Sequence, residues 1–202
     1  AGGGAGGPGA GGGGGSPPPP ARLLLVTNQL PVKAAKGAGG GGGAGGFSWE
    51  VDQNALMTAA KGALGVAEGR PVEVLHAGCL PVDVPPECEE AVALELRERF
   101  GFLPVFLEAG LRQSFYQGMC KQTLWPLFHY LLPLSPASPA RFRQERWEAY
   151  IKANKTFANK LTEVLQPERD FVWIHDYHLM VLPSFLRKRF HHIRCGFFLH
   201  SP

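Results

Sequence analysis

The sequence predicts a doubly wound α/β domain built on a mostly parallel β-sheet. Four short runs are apolar apart from Glu73 in the second of them, which indicates strands buried on both faces, as in a parallel sheet. Between them lie segments with apolar residues at helical spacing, so strands and helices alternate along the chain. The four runs span residues 23–26, 72–75, 171–174 and 196–199.

The connection after the first strand carries a glycine run over residues 37–46. A dinucleotide-binding fingerprint would follow its strand directly and would lead straight into a helix, and this run does neither. We therefore predict that residues 37–46 form a mobile loop. The first helix is predicted over residues 52–64, where the sequence is compatible with helical winding.

Three further helices are predicted from charge order and apolar spacing. Residues 86–100 place acidic side chains before basic ones, the order that the helix dipole favours. Residues 141–165 carry the clearest apolar stripe at helical spacing, and Pro167 ends that helix. The last helix is predicted over residues 180–190, with Pro183 in its first turns.

The amino-terminal segment differs in composition from the rest of the chain. Residues 1–20 are almost entirely Gly, Ala and Pro, and so little apolar side chain cannot offset the entropy of ordering the segment. We predict a disordered extension that is not a secretory signal. Because the chain begins with Ala and ends soon after an apolar strand, we expect a fragment whose incomplete domain spans residues 21–202.

Charge and cysteine content exclude several classes of protein. A net charge of +3 argues against a nucleic-acid binder, which would concentrate Lys and Arg on one face. No apolar run approaches the roughly 20 residues needed to cross a bilayer. The four cysteines show neither CxxC pairs nor a disulfide spacing, which is typical of free thiols. We expect a cytoplasmic protein that binds neither nucleic acid nor a membrane.

Polar side chains follow three of the four predicted strands. Asn28 and Gln29 follow the first strand, Asp176 follows the third and His200 follows the fourth. The carboxyl ends of parallel strands meet at one edge of a sheet, where ligands bind in open α/β folds. We therefore expect these side chains to lie around a common crevice.

The run His175-Asp176-Tyr177-His178 admits three interpretations. Two histidines and a carboxylate could bind a metal, although no further His or Asp stands at ligand spacing. The run could form a polar network that fixes a turn. Alternatively, Asp176 could accept hydrogen bonds from sugar hydroxyls, since an ionised carboxylate is only an acceptor. His200 is similarly open to a buried structural role or to a position facing a ligand.

Two aromatic residues, Tyr116 and Trp125, bracket a short segment that Pro126 follows. Aromatic residues in such a segment usually pack in a core. Beside the predicted crevice they would also form a sugar-binding wall, because their rings are apolar and carry polar groups.

Three long motifs resemble the trehalose-6-phosphate synthases. Their order and separations match, and the resemblance runs from Arg22 to the end of the chain. It is strongest to the plant subgroup whose first strand ends in Asn-Gln-Leu-Pro and which carries a phosphatase-like domain after the synthase-like one. The motifs are LWPLFHY at residues 124–130, VWIHDYHL at residues 172–179 and GFFLHSP at residues 196–202.

The resemblance implies the amino-terminal, Rossmann-like half of a two-domain GT-B glycosyltransferase, the half that holds the acceptor. These enzymes transfer glucose from UDP-glucose to glucose-6-phosphate with retention of configuration, and they need no cofactor or essential metal. Such a site stabilises an oxocarbenium-like transition state by placement and electrostatics rather than by a protein nucleophile. Motif matching gives Asp176 and His200 as candidate catalytic residues, and Asn28, Gln29, Tyr116, Trp125 and Asp176 as candidate substrate-binding residues.

The chain departs from the family pattern at three places. Active members have Arg where this chain has Gln29, and that Arg holds the phosphate of the acceptor; Gln cannot offer a charged, bidentate group. The Trp-x-Gly-Trp pattern is replaced at residues 76–79. The Gly-Gly-Leu turn near the donor phosphates is missing, with Gly45-Gly46 as a candidate displaced remnant.

The leading hypothesis is a trehalose-phosphate synthase that binds a sugar phosphate and a nucleotide sugar. The departures motivate an alternative: a catalytically silent regulatory homologue that senses sugar phosphate or binds protein partners. A third hypothesis is a metal-dependent hydrolase centred on His175, Asp176 and His178.

Overall fold

The computed structural model describes residues 22–36, 43–55, 66–67, 70–131, 134–135, 138 and 140–200. The predicted disordered extension, residues 37–42 of the predicted loop and the last two residues lie outside this part of the chain. The described strands are β1 (Arg22–Gln29), β2 (Val32–Lys36), β3 (Phe47–Val51), β4 (Val66–Ala67), β5 (Arg70–Pro71), β6 (Glu73–Cys79), β7 (Phe102–Pro104), β8 (Asp170–His175) and β9 (Arg194–Phe198).

Five of these strands form a parallel sheet in the order β7-β6-β1-β8-β9. From β1, the chain adds β6 and then β7 on one side of the sheet. It then adds β8 and β9 on the other side of β1. The strand order therefore reverses between β1 and β8, as in Rossmann-type folds. The four strands predicted from sequence correspond to β1, β6, β8 and β9.

The described helices connect the strands of this sheet. Three predicted helices are confirmed with shifted ends, as α1 (Glu89–Phe100), α4 (Gln144–Thr162) and α5 (Leu182–Arg189). Residues 52–55 form a turn, and the rest of the predicted first helix lies outside the described residues. No helix in the described ranges has the length and apolar character needed to cross a bilayer. The helices are α1 (Glu89–Phe100), α2 (Ala109–Arg112), a π-helix (Gln113–Leu124), α3 (Trp125–Phe128), α4 (Gln144–Thr162) and α5 (Leu182–Arg189).

Two hydrophobic clusters cover the opposite faces of the sheet. Neighbouring residues of a strand point to opposite faces, and Phe102 of β7 belongs to one cluster whereas Leu103 belongs to the other. The cluster of Phe102 includes Trp49 of β3 and Val92 of α1. The cluster of Leu103 includes residues of β1, β8, α4 and α5, among them Leu24, Val172, Phe157 and Leu186. Helices therefore pack on both faces, which confirms the doubly wound arrangement.

An antiparallel hairpin of β2 and β3 flanks the predicted loop of residues 37–46 and was not itself predicted. Alternating burial along β3 places Trp49 in the core, only 1% exposed, between exposed Ser48 and Glu50. A turn of 3-10 helix (Ala44–Gly46) leads into β3, with Gly45 and Gly46 at φ of 71° and 75°. The described end of the glycine run thus forms a defined turn.

The π-helix was not predicted. Its backbone hydrogen bonds join residues five apart, rather than four apart as in an α-helix. Its buried residues include the apolar side chains of Phe115, Met119, Cys120 and Leu124. These residues pack against Tyr150 and Ala153 of α4.

A buried ion pair joins the amino ends of β1 and β8. The Arg22 guanidinium donates to both carboxylate oxygens of Asp170, at 2.7 Å each, and also to the carbonyl oxygen of Val164 at 2.6 Å. Asp170 also accepts a hydrogen bond from the backbone N–H of Gln166. The hydrogen bond to Asp170 raises the pKa of Arg22 above its ordinary value, so the guanidinium stays charged.

All four cysteines carry free thiols, as predicted. Cys79 and Cys120 are buried in hydrophobic clusters. Burial raises the pKa of Cys79 to about 12, so this thiol stays protonated and unreactive.

Candidate active site

A cavity of about 450 Å³ opens at the carboxyl ends of β1 and β8, where the strand order reverses. Ligands bind at this place in open α/β sheets. The cavity brings together five of the six residues predicted from sequence: Asn28, Gln29, Tyr116, Asp176 and His200. Its other lining residues are Thr27, Leu30, Pro31, Val32, Asp52, Ala55, His175 and His178.

A local irregularity turns the end of β1 toward the cavity. The pairing of β1 with β6 shifts register between Val26 and Gln29. The Thr27 hydroxyl donates to the carbonyl oxygen of Gln29 at 2.8 Å and lies 2.7 Å from Nε2 of His76. These contacts hold the backbone that carries the cavity residues Asn28 and Gln29.

Gly78 of β6 is needed for this close approach. A β-carbon at Gly78 would lie 2.8 Å from the backbone nitrogen of Leu30 and 2.9 Å from the carbonyl carbon of Gln29. Real β-carbons do not come so close to backbone atoms, so only glycine lets the end of β1 pass here. The sequence offered no signal for this role beyond the glycine itself.

Asp176 is held at the cavity by a strained backbone. Its φ of 73° and ψ of 164° fall in a region that is essentially restricted to glycine. Its N–H donates to the carbonyl oxygen of Phe198 at 2.7 Å, and its Oδ1 accepts from the N–H of Tyr177 at 2.9 Å. Strain of this kind persists only where the surroundings fix the backbone. The carboxylate is therefore preorganised at the cavity wall.

His175 and His200 form a hydrogen-bonded pair beside Asp176. Nδ1 of His175 lies 2.9 Å from Nε2 of His200, and the two rings stack. Burial, assisted by the proximity of His200, lowers the pKa of His175 to about 4, so its ring is neutral at pH 7. Within the described residues its Nε2 is buried without a hydrogen-bond partner.

His178 lines the cavity behind Tyr116. The two rings stack at a centroid distance of 5.7 Å, and burial lowers the pKa of His178 to about 4. Nδ1 of His178 is 3.6 Å from Oδ2 of Asp176, beyond hydrogen-bond distance. Neither ring nitrogen has a hydrogen-bond partner among the residues that the structure describes. Buried polar atoms usually have one, which makes this ring available to a ligand.

The turn at residues 176–179 is fixed from α4. The Tyr150 hydroxyl donates to the carbonyl oxygen of Tyr177 at 2.7 Å and accepts from the N–H of Met180 at 3.0 Å. The Asn154 amide donates to the carbonyl oxygen of His178 at 3.1 Å. A polar network therefore does fix this turn, but it uses Tyr150 and Asn154 rather than the histidine side chains.

In the described residues, no group of three or more His, Cys, Asp or Glu side chains is placed to hold a metal ion. His175 and His178 instead lie apart, one paired with His200 and the other stacked on Tyr116.

Trp125 is the predicted site residue that does not line the cavity. It lies beyond Tyr116 along the helix and is 40% exposed. The ammonium group of Lys121 lies between the two aromatic rings, 5.5 Å from the ring centre of Tyr116 and 4.8 Å from that of Trp125. The π-helical winding places Tyr116 and Lys121, five residues apart, on one face. Contact of Trp125 with a substrate stays a prediction.

A second cavity of about 440 Å³ adjoins the first and shares Asn28, Gln29 and Tyr116 as lining residues. Arg112 is the one Lys, Arg, Asp or Glu residue in its described lining. Sequence analysis did not single out Arg112, because only the fold places it near Gln29. The remaining lining residues are Cys79, Leu80, Pro81, Ala109, Gln113, Phe115 and Gln117.

Comparison with known proteins gives consistent matches in sequence and in structure. The profile of glycosyltransferase family 20 matches residues 21–202. Alpha,alpha-trehalose-phosphate synthase (UDP-forming) 6 of Arabidopsis thaliana is 52% identical over 156 residues, which make up 77% of this chain and 18% of that protein.

Two solved structures share the fold with a similar level of identity. The amino-terminal domain of the Candida albicans trehalose-6-phosphate phosphatase has a TM-score of 0.63 and 27% identity, covering 90% of this chain and 34% of the other. An E. coli structure described as trehalose-6-phosphate bound with UDP-2-fluoro glucose has a TM-score of 0.61 and 28% identity, covering 90% of this chain and 33% of the other. The chain thus spans about a fifth of the plant relative and about a third of each solved chain.

Proposed function

The chain belongs to glycosyltransferase family 20, and from this premise we propose that the protein containing it transfers glucose from UDP-glucose to glucose-6-phosphate in trehalose biosynthesis. Residues 21–202 would form the acceptor side of the active site. The predicted fold class, the Rossmann-like half of a GT-B glycosyltransferase, is confirmed by the parallel sheet and by its likeness to the E. coli structure.

The cavity at the strand reversal is the observation that carries this proposal. Its volume of about 450 Å³ falls in the range of small-molecule sites, and it gathers polar groups from segments far apart in sequence. Asn28 and Asp176 come from the ends of β1 and β8, and Tyr116 comes from the π-helix. Such a combination of acceptors, donors and an aromatic ring suits a hexose.

The residues of this chain would act by placement and charge. The fixed carboxylate of Asp176 would accept hydrogen bonds from acceptor hydroxyls and would stabilise positive charge that develops on the transferred sugar. His200, aligned by the neutral ring of His175, would contact the transferred glucosyl group. The neutral His178 ring, with both nitrogens unpartnered among the described residues, offers a further contact to a sugar hydroxyl.

The donor would bind between this domain and a second domain, as the resemblance implies for GT-B enzymes. The E. coli structure with UDP-2-fluoro glucose supports a nucleotide sugar as donor. The partners proposed for this protein are therefore a sugar phosphate and a nucleotide sugar. The free thiols support a reducing, cytoplasmic location.

The test is release of UDP by the full-length protein incubated with UDP-glucose and glucose-6-phosphate. We expect Asp176→Asn to lower kcat/KM by about tenfold to a hundredfold, because a hydrogen bond to a charged group contributes about 1.5–3 kcal/mol. Asn has nearly the same size and shape as Asp and keeps an oxygen for the N–H of Tyr177, so the variant removes the charge with little change of shape.

The matched control is Glu98→Gln, which neutralises an exposed carboxylate on α1, away from the cavity. UDP release that depends on both substrates in the wild type, and that falls only in Asp176→Asn, would support the proposal. Binding of glucose-6-phosphate without any UDP release would instead favour the catalytically silent regulatory homologue, which the uncharged Gln29 motivates.

A further inference from the structure

The first cavity lacks a cation for the phosphate of its proposed ligand. Its described lining contains two carboxylates, Asp52 and Asp176, and neither Lys nor Arg. Lys33 is near but is paired with Asp52 at 3.0 Å. A phosphate dianion bound without a positively charged partner would lose its hydration without compensation. A hexose phosphate therefore needs a cation from outside this cavity.

The second cavity supplies one. Asn28, Gln29 and Tyr116 form the boundary between the two cavities, and Arg112 lines the second. Arg112 and Tyr116 are four residues apart along one helical run, so they lie on the same face. A sugar ring in the first cavity could thus extend its phosphate past Gln29 and Tyr116 toward Arg112.

The present partner of Arg112 can be exchanged. Its guanidinium lies 2.8 Å from Asp83, whose side chain is 62% exposed, whereas that of Arg112 is 31% exposed. Ion pairs with an exposed partner contribute little free energy, because water screens them. A phosphate dianion offers a stronger, bidentate acceptor for the same guanidinium.

We propose that Arg112 binds the phosphate group of a hexose phosphate whose ring occupies the first cavity. It would thereby replace the charge that Arg supplies at the position of Gln29 in the family members that this chain resembles. The identity of the sugar phosphate as the acceptor rests on the proposed function.

The test compares Arg112→Gln with the wild type in the full-length protein by isothermal titration calorimetry. We expect the affinity for glucose-6-phosphate to fall about tenfold or more, since a charge-assisted hydrogen bond is lost. The affinity for glucose and for UDP-glucose should not change. Arg97→Gln is the matched control, because Arg97 is an exposed arginine on α1 that lines neither cavity, and the affinity of this variant for glucose-6-phosphate should match the wild type.

Two further variants test the geometry without relying on a loss of binding. Gln29→Arg, added to Arg112→Gln, should restore affinity for glucose-6-phosphate, because it returns a guanidinium to the boundary between the cavities. Asp83→Asn should tighten the binding of glucose-6-phosphate by a few-fold, because it removes the exposed carboxylate that competes with the phosphate for Arg112.

The outcomes separate this inference from the function on which it rests. Wild-type binding that Arg112→Gln leaves intact would overturn the role of Arg112 and leave the proposed acceptor standing. An equal loss for glucose, or a loss for UDP-glucose, would also overturn it. A wild-type protein that does not bind glucose-6-phosphate would overturn both.

Discussion

Two histidine side chains at the cavity are buried as neutral rings. His175 and His178 are 5% and 8% exposed, and burial is the main cause that lowers the pKa of each to about 4. In the unfolded chain both rings would titrate near an ordinary pKa of about 6.5. The protein therefore holds two uncharged hydrogen-bonding groups beside Asp176. Keeping these rings uncharged lowers the free energy of unfolding by an amount that depends on pH.

We predict that stability falls as the pH is lowered from about 6.5 to about 4. In this window the two histidine rings bind protons in the unfolded chain but not in the folded protein. The free energy of unfolding therefore falls by up to about 1.4 kcal/mol per pH unit for each histidine. Above this window the two rings have no such effect. Urea unfolding of the full-length protein at pH 7 and pH 5 measures the difference.

His178→Gln should reduce this pH dependence, because one of the two titrating rings is removed. His191→Gln provides the control, since His191 is exposed on the connection to β9. Equal pH dependence in the wild type and both variants would show that burial of His178 does not have the effect described.

At the scale of the element, strands were easier to predict than the helical segment that carries Tyr116. The apolar run of β1 was recognisable because both faces of this strand are buried. The same expectation is wrong for the edge strand β9, where Phe197 and Phe198 are 42% and 49% exposed. The π-helix was missed because Gly118 interrupts its helical pattern in the sequence. Strand β3 does alternate, but the glycine run before it suggested a loop.

Site residues at strand ends could be predicted for a related reason. Asn28, Asp176 and His200 follow apolar strands directly, and the parallel sheet places them at one edge. Arg112 could not be found in this way, because its neighbour Gln29 is far away in sequence. The role of Gly78 likewise depends on the path of β1, which no pattern in β6 reveals.

Gly78→Ala tests the element that shapes the cavity. Its β-carbon would meet backbone atoms of Gln29 and Leu30, so we expect a loss of stability of about 1–3 kcal/mol, the usual cost of overpacking. Affinity for glucose-6-phosphate should also fall, because the displaced residues line the cavity. Thermal unfolding and calorimetry on the full-length protein measure the two effects.

Gly110→Ala is the matched control on α2. A β-carbon there meets nothing within 4 Å, and alanine favours helix over glycine by about 1 kcal/mol. This variant should be as stable as the wild type or more so. If Gly78→Ala were tolerated equally well, the close approach of β6 to the end of β1 would not shape the cavity.

At the scale of the whole molecule, the sheet carries different features at its two ends. The Arg22–Asp170 pair joins the amino ends of β1 and β8, and the cavity lies at their carboxyl ends. Both partners of the ion pair are buried, at 6% and 0% exposure, and several hydrogen bonds satisfy them. The two central strands are thus fixed at the end remote from the cavity.

Asp170→Asn should destabilise the fold by about 3–5 kcal/mol, because it leaves the charge of Arg22 buried without its partner. Hydrogen exchange of the β1 and β8 amides in the full-length protein measures the change locally. Glu163→Gln, which breaks an exposed pair with Lys160, should change stability by less than about 1 kcal/mol. Similar protection in both variants would contradict a stabilising role for the buried pair.

This separation has a consequence for how the protein can evolve. Substitutions of the cavity residues Gln29 or His200 would change the lining of the cavity without reaching the Arg22–Asp170 ion pair. Substitutions in the cavity can therefore accumulate one at a time while the ion pair stays unchanged. The proposed move of the phosphate-binding arginine from position 29 to position 112 would be one example.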